Sequence, residues 1–439
     1  MDQTDFLEEK VSKLYRKYLL PSISATLVTS IYILADTIMI GKGVGAMGIA
    51  ALNIVLPVFN LFFGTGVLCG VGGGVLFSVY KGRGQAEKAG EYFTAAMVLA
   101  AVLSLFYFVA FQAFFDPITR VLGSNEGMRE QVWSYGKIIV AGAPAFVFST
   151  CLQALVRNDK APKLAMAAVI TSGILNVVLD YIFIFFMGMG MAGASLATVI
   201  SSWVTVVILI THFFSPANTL KFTKHVHLRE TGKVFLNGFS SFILELTAGI
   251  VIFMFNRQLL VYVGDLGVVV YGIVSNSALV ATSIFNGISQ AVQPILAVNF
   301  GAGKSARVAQ TRRLGIGTAL LFGALFTLFG YVKPMWLIGA FVTPTEEIVR
   351  LGITAIHIYF LSFLAAGVNM LLSTYFQSVL KPVNAMAVSL LRGVVFNGLF
   401  VLLLPLIFGV NGIWLAIVAT EFLTLAAALF MLYGEKQIK

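Results

Sequence analysis

The sequence predicts an all-α integral membrane protein with twelve transmembrane helices. Of the 439 residues, 59% are hydrophobic and 11% are charged, whereas a soluble domain carries about 25% charged residues. The mean hydropathy is +0.93, which excludes a soluble globular enzyme, a disordered chain and a fibrous repeat. A transmembrane helix needs about 20 mostly apolar residues. Apolar runs near or above that length, bounded by charges and glycines, lie at 18–40, 50–80, 92–115, 133–156, 164–186, 192–214, 234–263, 268–299, 314–332, 351–378, 383–407 and 411–433.

The distribution of Lys and Arg predicts the orientation in the membrane. With the N-terminus placed in the cytoplasm, 21 of the 29 basic residues fall in inside segments and 6 in outside segments. This excess predicts that both termini are cytoplasmic, and it accounts for the net charge of +10 without a nucleic-acid partner. We expect cytoplasmic segments at 1–17, 215–233 and 434–439. The membrane part then divides into an N-lobe at 18–214 and a C-lobe at 234–433.

Short motifs recur in the two halves of the chain at a constant spacing of 219–220 residues. The pairs are Gly82-Arg-Gly84 with Gly301-Ala-Gly303, Pro162 with Pro382, and Gly190–Ala197 with Gly409–Ala416. Because six helices separate the two members of each pair, both halves have the same orientation in the membrane. The sequence therefore predicts a parallel repeat of two six-helix lobes, which is an architecture typical of transporters.

Four polar residues of the first half are candidates for binding a coupling ion. Asp36 lies in the first span, Asn176 and Asp180 in the fifth and Thr198 in the sixth, each on a polar helix face. Carboxylate, amide and hydroxyl oxygens suit either H⁺ or Na⁺. Placing a carboxylate inside a membrane costs free energy, so such a residue indicates a functional site. The second half lacks this constellation, so a packing role common to both lobes is disfavoured. For each hydroxyl the alternative is a bond to its own or a neighbouring helix.

Other polar residues within the spans are candidates for a substrate cavity. They are Glu245, Asn286, Gln290, Gln293, Asn53 and Arg257. Two interpretations of Glu245 stay open: a second carboxylate for ion or substrate, or a pair with Arg392 or another donor. Hydrogen bonding between helices is the alternative for the amides of the eighth span. Glu421 has no polar stripe around it, so we expect a structural pair there. Pro21, expected in the first turn of the first helix, is a candidate hinge.

The chain resembles the multidrug and toxic compound extrusion (MATE) transporters along essentially its whole length. The resemblance is carried by Ala35–Gly41, Leu175–Asp180, Gly190–Thr198 and Gln293–Ala302, together with the paired glycine turns. Within that family it is similar to the DinF-like branch with the MepA-type exporters. The resemblance implies two six-helix lobes in a V around a central cleft, alternating access by a rocker switch, and the plasma membrane of a prokaryote.

The resemblance also implies which residues bind the coupling cation. In the DinF-like branch these match Asp36, Asn176, Asp180 and Thr198, where Na⁺ would bind if the ion is not H⁺. Another branch uses a Glu of the seventh span, which Glu245 matches, together with an Asp of the tenth. The tenth predicted span has no acid, so the resemblance does not extend to a cation site in the C-lobe.

The predicted function is secondary active multidrug efflux, in which cationic or amphipathic organic compounds leave the cell in exchange for H⁺ or Na⁺. The protein is expected to act as a monomer without a cofactor. We hypothesise that uptake of the ion by the Asp36–Asp180 pair weakens the hold on a cationic substrate. The alternatives are a gradient-driven importer and a flippase for a lipid-linked precursor, which would favour basic cavity residues. No reactive dyad, metal-ligand spacing or Walker motif is present, so an enzyme is disfavoured.

Overall fold

The computed structural model describes residues 4–224 and 227–437, and no strand occurs in these two ranges. The helices are α1 Thr4–Glu8, α2 Val11–Gly43, α3 Ala46–Gly82, α4 Ala86–Ala113, α5 Phe115–Val121, α6 Arg129–Ala141, α7 Ala143–Asn158, α8 Pro162–Asp180, α9 Gly190–Ile210, α10 Leu228–Tyr262, α11 Asp265–Gly301, α12 Ser305–Val332, α13 Pro334–Phe341, α14 Glu346–Phe360, α15 Phe363–Ser378, α16 Pro382–Leu390, α17 Phe396–Phe408 and α18 Val410–Gln437.

The predicted all-α membrane fold is confirmed. Within the described ranges, ten helical segments, three of which include a short stretch of different helical pitch, are long and apolar enough to cross a membrane. Two further spans are bent pairs: α6 and α7 meet at 50°, and α14 and α15 meet at 41°. Counting each bent pair as one span gives twelve. The α6–α7 bend coincides with Gly142 and with Pro144 at the start of α7, where proline lacks the N–H that would continue the upstream helix.

The helix of the first predicted span, α2, begins earlier than the sequence predicts. α2 begins at Val11, so Pro21 lies inside the helix and its expected place in the first turn is wrong. The residues before Tyr18 are too polar to count as a span, yet they continue the same helix. Because an interior proline removes one i→i−4 hydrogen bond, Pro21 locally weakens α2.

Two spans contain a π-helical turn, which the sequence did not predict. Tyr181–Phe186 continues α8 directly after Asp180, and Leu391–Val395 joins α16 to α17. A π-turn inserts one extra residue and rotates the side chains that follow it, and such turns are frequent at functional sites. An ionisable side chain is found at each turn: Asp180 directly precedes the first, and Arg392 lies within the second.

Packing divides the chain into two compact units. Unit 1 comprises Leu20–Leu246 with Met1–Glu9 and Ala297–Lys304, and unit 2 comprises Thr247–Leu296 and Ser305–Lys439 with Lys10–Leu19. The predicted lobes, 18–214 and 234–433, were defined from the sequence repeat, and they remain a prediction. The division by packing instead passes through the interiors of α2, α10 and α11.

Glycines allow close helix contacts inside each unit. In unit 1 a Cβ on Gly70 would lie 2.7 Å from the backbone oxygen of Cys151, so α3 and α7 meet at their backbones. In unit 2 a Cβ on Gly323 would lie 2.4 Å from the backbone oxygen of Phe363, where α12 packs on α15. Helices in membranes associate through such small residues because lipid supplies no hydrophobic driving force between them.

The repeated glycine turns pack against each other within unit 1. A Cβ on Gly82 would lie 2.1 Å from the oxygen of Val298, and one on Gly301 would lie 2.0 Å from the oxygen of Val79. Gly301→Ala is therefore expected to lower stability by about 1–3 kcal/mol, as overpacking does. Thermal unfolding of the purified protein measures the effect. Gly317→Ala in the interior of α12 is the control, because a Cβ there meets open space.

Candidate functional site

Two carboxylates from different helices of unit 1 form the centre of the candidate site. Asp180, the last residue of α8, is completely buried, and Asp36 on α2 is partly buried. Their carboxyl groups lie within interaction distance of each other. Tyr32, one turn before Asp36 on α2, and the buried Tyr135 of α6 lie close to the pair. The predicted proximity of the two acids is thus present in the structure.

Several buried oxygen atoms of this site lack a hydrogen-bond donor. Asp36 Oδ1, both carboxylate oxygens of Asp180 and Asn176 Oδ1 have no hydrogen-bond partner among the residues that the structure describes. A buried unsatisfied acceptor costs roughly 1–3 kcal/mol, and a charged one more. Four such atoms in one site are therefore unstable unless a proton or a cation binds them.

Asn176 and Thr198 extend the site from the carboxylates toward α9. Asn176 lies one turn before Asp180 on α8, and its Nδ2 donates to Thr198 Oγ1 at 3.5 Å. Thr198 Oγ1 donates its own proton to the Ala194 oxygen at 3.0 Å. This bond to its own helix is the alternative role expected for the hydroxyls. The Thr198 oxygen nevertheless keeps lone pairs that face Asn176.

A small cavity adjoins Asn176 and Thr198 inside unit 1. Its volume is about 70 Å³. Its lining includes hydroxyls such as Ser172 and Ser202, the amide of Gln153, and aromatic rings such as Phe59. A drug-sized ligand needs a pocket of about 300–1,000 Å³. In this conformation the cavity therefore has room for water or an ion and not for an organic substrate.

The candidates for the substrate cavity are divided between the two units. Asn53 of α3 is exposed, and Glu245 of α10 is partly buried beside Gly64; both belong to unit 1. The remaining four belong to unit 2: Gln293 is 2% exposed, Asn286 and Gln290 are partly buried, and Arg257 is exposed.

Arg392 pairs with Glu421 in unit 2. Arg392 Nε donates to Glu421 Oε1 at 2.7 Å, and Asn369 Nδ2 donates to Glu421 Oε2 at 2.8 Å. The structural pair expected for Glu421 is thus present. The interpretation of Glu245 as the partner of Arg392 is not supported, because the guanidinium is engaged by the other acid.

Sequence reasoning missed the aromatic and amide neighbours of the site. Tyr32 could have been found, because it precedes Asp36 by four residues and so shares its helix face. Tyr135 and Gln153 carry no such local signal, since they lie on the α6–α7 pair and reach the site only through tertiary packing.

Pro21 lies on the helix that carries Asp36, at the point where α2 passes from unit 2 into unit 1. Pro21→Ala restores the missing backbone hydrogen bond, and an interior proline costs about 3 kcal/mol relative to alanine. The variant is expected to be at least as stable as the wild type but to transport more slowly, because α2 bends less readily. Thermal unfolding and transport rates on the same preparation measure both effects. A less stable variant with unchanged transport would contradict a hinge.

Known proteins are similar to this chain along most of its length. The family profile MatE matches residues 21–182 and 239–403. "Multidrug export protein MepA" of Staphylococcus aureus (strain MRSA252) is 26% identical over 436 residues, covering 97% of this chain and 94% of the relative.

Solved structures share the fold over the whole chain. An outward-facing multidrug resistance MATE family transporter of the MOP superfamily superposes with a TM-score of 0.91 at 22% identity, covering 100% of this chain and 98% of the other. The MATE multidrug transporter DinF-BH gives a TM-score of 0.89 at 28% identity, covering 98% and 97% of the two chains.

Proposed function

Because the chain belongs to the MatE family of transporters, we propose that it is a secondary active multidrug exporter. It exports cationic or amphipathic organic compounds in exchange for H⁺ or Na⁺. The similarity to a protein named as a multidrug exporter and to a solved multidrug transporter supports the substrate class. The coupling site is the set Asp36, Asn176, Asp180 and Thr198.

The observation that carries the proposal is the group of buried acceptor oxygens without donors around Asp36 and Asp180. Two neighbouring carboxylates that are both ionised repel each other, and burial adds a large desolvation cost. The pair therefore takes up a proton or a cation, and it titrates as one coupled unit. Hard oxygen donors of the kind present also suit Na⁺, so the same atoms serve either ion.

Ion uptake then changes how strongly unit 1 attracts a cationic substrate. With the pair negatively charged, the adjoining cavity attracts an organic cation; once H⁺ or Na⁺ neutralises the pair, that attraction is lost. The exchange of one cation for another is the basis of antiport. The ion gradient supplies the free energy, about 2.3 kcal/mol per elementary charge for 100 mV.

Substrate binding requires the cavity of unit 1 to widen. Its volume of about 70 Å³ is too small for a drug-sized molecule, so the helices that line it must separate. α2 and α8 carry the two carboxylates, and both are locally weakened, α2 by Pro21 and α8 by the π-turn after Asp180. We infer that these two helices move when substrate and ion exchange.

A flippase for a lipid-linked precursor is less well supported. It would need basic side chains for pyrophosphate, and of the two arginines within the predicted spans, Arg257 and Arg392, the latter is already neutralised by Glu421. Arg257 is exposed. An importer has the same site chemistry and differs only in the direction of transport.

The decisive test is efflux of a fluorescent organic cation from proteoliposomes with a pH gradient and a Na⁺ gradient imposed separately. One gradient is expected to drive exchange, and dissipating it should stop the flux. Equal flux without either gradient would overturn the proposal of antiport. Vesicles of known protein orientation distinguish export from import in the same assay.

We also propose that the protein acts as a monomer in the plasma membrane with both termini in the cytoplasm. The 21 to 6 distribution of Lys and Arg supports the orientation. Protease accessibility of a tag at either terminus, in sealed cells and in inverted vesicles, tests it. Light scattering of the purified protein tests the monomeric state.

A further inference from the structure

Unit 2 contains a buried ion pair whose contacts contrast with those of the site in unit 1. Glu421 is 2% exposed and Asn369 is completely buried. Both Glu421 carboxylate oxygens accept hydrogen bonds, one from Arg392 and one from Asn369. Whereas carboxylate oxygens of the candidate coupling site lack donors, both oxygens of Glu421 have donors from the chain itself.

The sequence repeat relates this ion pair to the cavity of unit 1. α7 and α15 have the same length and differ by 220 residues, as do Pro162 and Pro382, while Gly190 and Gly409 differ by 219. With these offsets the corresponding pairs are Ser149 with Asn369, Ser172 with Arg392, and Ser202 with Glu421. All three serines line the cavity of unit 1.

Three positions that are small hydroxyls in one unit are therefore longer polar or charged residues in the other. In unit 1 the short side chains leave an open space. In unit 2 the Arg392 guanidinium, with its side chain 18% exposed, reaches Glu421 from the π-turn Leu391–Val395. The Arg392 guanidinium is a planar organic cation that contacts the buried Glu421 carboxylate, and a cationic ligand would make the same kind of contact.

We propose that Arg392 is a built-in occupant of the position in unit 2 that corresponds to the cavity of unit 1, and that it excludes organic cations from that position. Glu421 and Asn369 form a latent binding site for a guanidinium group. Arg392 is then a specificity-determining residue that restricts cationic substrates to unit 1. This inference rests on the proposed function for the nature of the substrate, but its binding test is independent of transport.

The test is binding of ethylguanidinium to Arg392→Ala, which removes the built-in cation and leaves Glu421 exposed to the vacated space. Thermal unfolding of the purified full-length protein is followed with millimolar ethylguanidinium. Since a ligand that binds only the folded state raises its unfolding temperature, a saturable rise of several degrees is expected for Arg392→Ala. A clearly smaller rise, no larger than binding to unit 1 produces, is expected for the wild type and for Arg392→Ala combined with Glu421→Gln. Ethylammonium, which lacks the planar guanidinium group that Arg392 presents to Glu421, should shift the variant less.

Equal shifts in all three proteins, or no shift in Arg392→Ala, would overturn the inference. If the single variant cannot be recovered from membranes, ethylguanidinium added during expression and purification is expected to restore its yield. Failure of that rescue, while the double variant is recovered normally, counts against a latent site. Loss of transport in the wild-type assay would instead overturn the proposed function and leave this binding result unaffected.

Discussion

Asp180→Asn is expected to reduce gradient-driven efflux to the level of protein-free liposomes. The amide keeps the size of the side chain but carries no charge and cannot exchange a proton at neutral pH. With one fixed neutral partner, the Asp36–Asp180 pair no longer switches between a charged and a neutral state, so ion and substrate binding are uncoupled. Efflux of a fluorescent cation under the driving gradient measures the effect, and Asp36→Asn is expected to behave in the same way.

Asp265→Asn is the matched control, because Asp265 is an exposed acid at the start of α11. The Asp265→Asn variant carries the same chemical change outside the site, so it should transport at the wild-type rate. The double variant Asp36→Asn with Asp180→Asn should be no worse than either single variant, since residues that act as one unit are not additive. If Asp180→Asn transports at the wild-type rate in sealed vesicles under the driving ion gradient, the coupling mechanism is contradicted.

Substrate binding gives a second readout of the same change. The affinity of the wild type for an organic cation is expected to fall when the coupling ion is added, since both compete for the negative charge of the pair. In Asp180→Asn this competition should be much weaker. Fluorescence titration with and without the ion measures it, and an undiminished competition in the variant would place the coupling charge elsewhere.

Local periodicity placed the four residues of the candidate coupling site on polar helix faces, and the family resemblance selected them from the other polar residues of those faces. Asn176 and Asp180 share a helix face because they are four residues apart, and the absence of their counterparts in the second half of the chain separates them from general packing residues. The involvement of Tyr135 and the cavity amide Gln153 could not be predicted, because these residues belong to helices whose placement depends on tertiary contacts. The π-turn after Asp180 likewise has no sequence signal of its own.

The number of spans followed from length and hydropathy, whereas helix ends and bends did not. α2 extends to Val11 because its polar first turns remain helical beyond the apolar segment. α5 and α13 are short helices between spans, below the length at which periodicity is informative. The bend between α14 and α15 occurs without a proline at the break, and only packing reveals it.

A buried ionic cluster centred on Asp159 anchors the segment between the two halves of the chain. Asp159, directly after α7, is completely buried. Lys81 Nζ donates to its Oδ1 at 3.2 Å, and His212 Nε2 lies 2.9 Å from its Oδ2. The backbone N–H of Thr219 donates to Asp159 Oδ2 at 2.7 Å, and the Thr219 hydroxyl also contacts the carboxylate. One carboxylate thereby holds α3, the end of α9 and the following segment together.

The partners of Asp159 determine its titration. Burial raises the pKa of Asp159, but the hydrogen bond from His212, the charge of Lys81 and the bonds from Thr219 outweigh burial and hold that pKa below its ordinary value. A carboxyl group with a lowered folded-state pKa stabilises the fold above its unfolded-state pKa of about 3.9. That contribution is lost as the pH falls through the folded-state value.

Asp159→Asn is therefore expected to destabilise unit 1 by about 3–5 kcal/mol at neutral pH, because it leaves the buried Lys81 without its counter-charge. Lys81→Met combined with Asp159→Asn removes both charges and should recover part of the loss. The gap between wild type and Asp159→Asn should be constant from pH 8 to about pH 5 and narrow only as the pH approaches and passes below about 3.9. Thermal unfolding across this range measures the gap, with Asp265→Asn as the exposed control. No gap at neutral pH would show that Asp159 does not hold this segment in place.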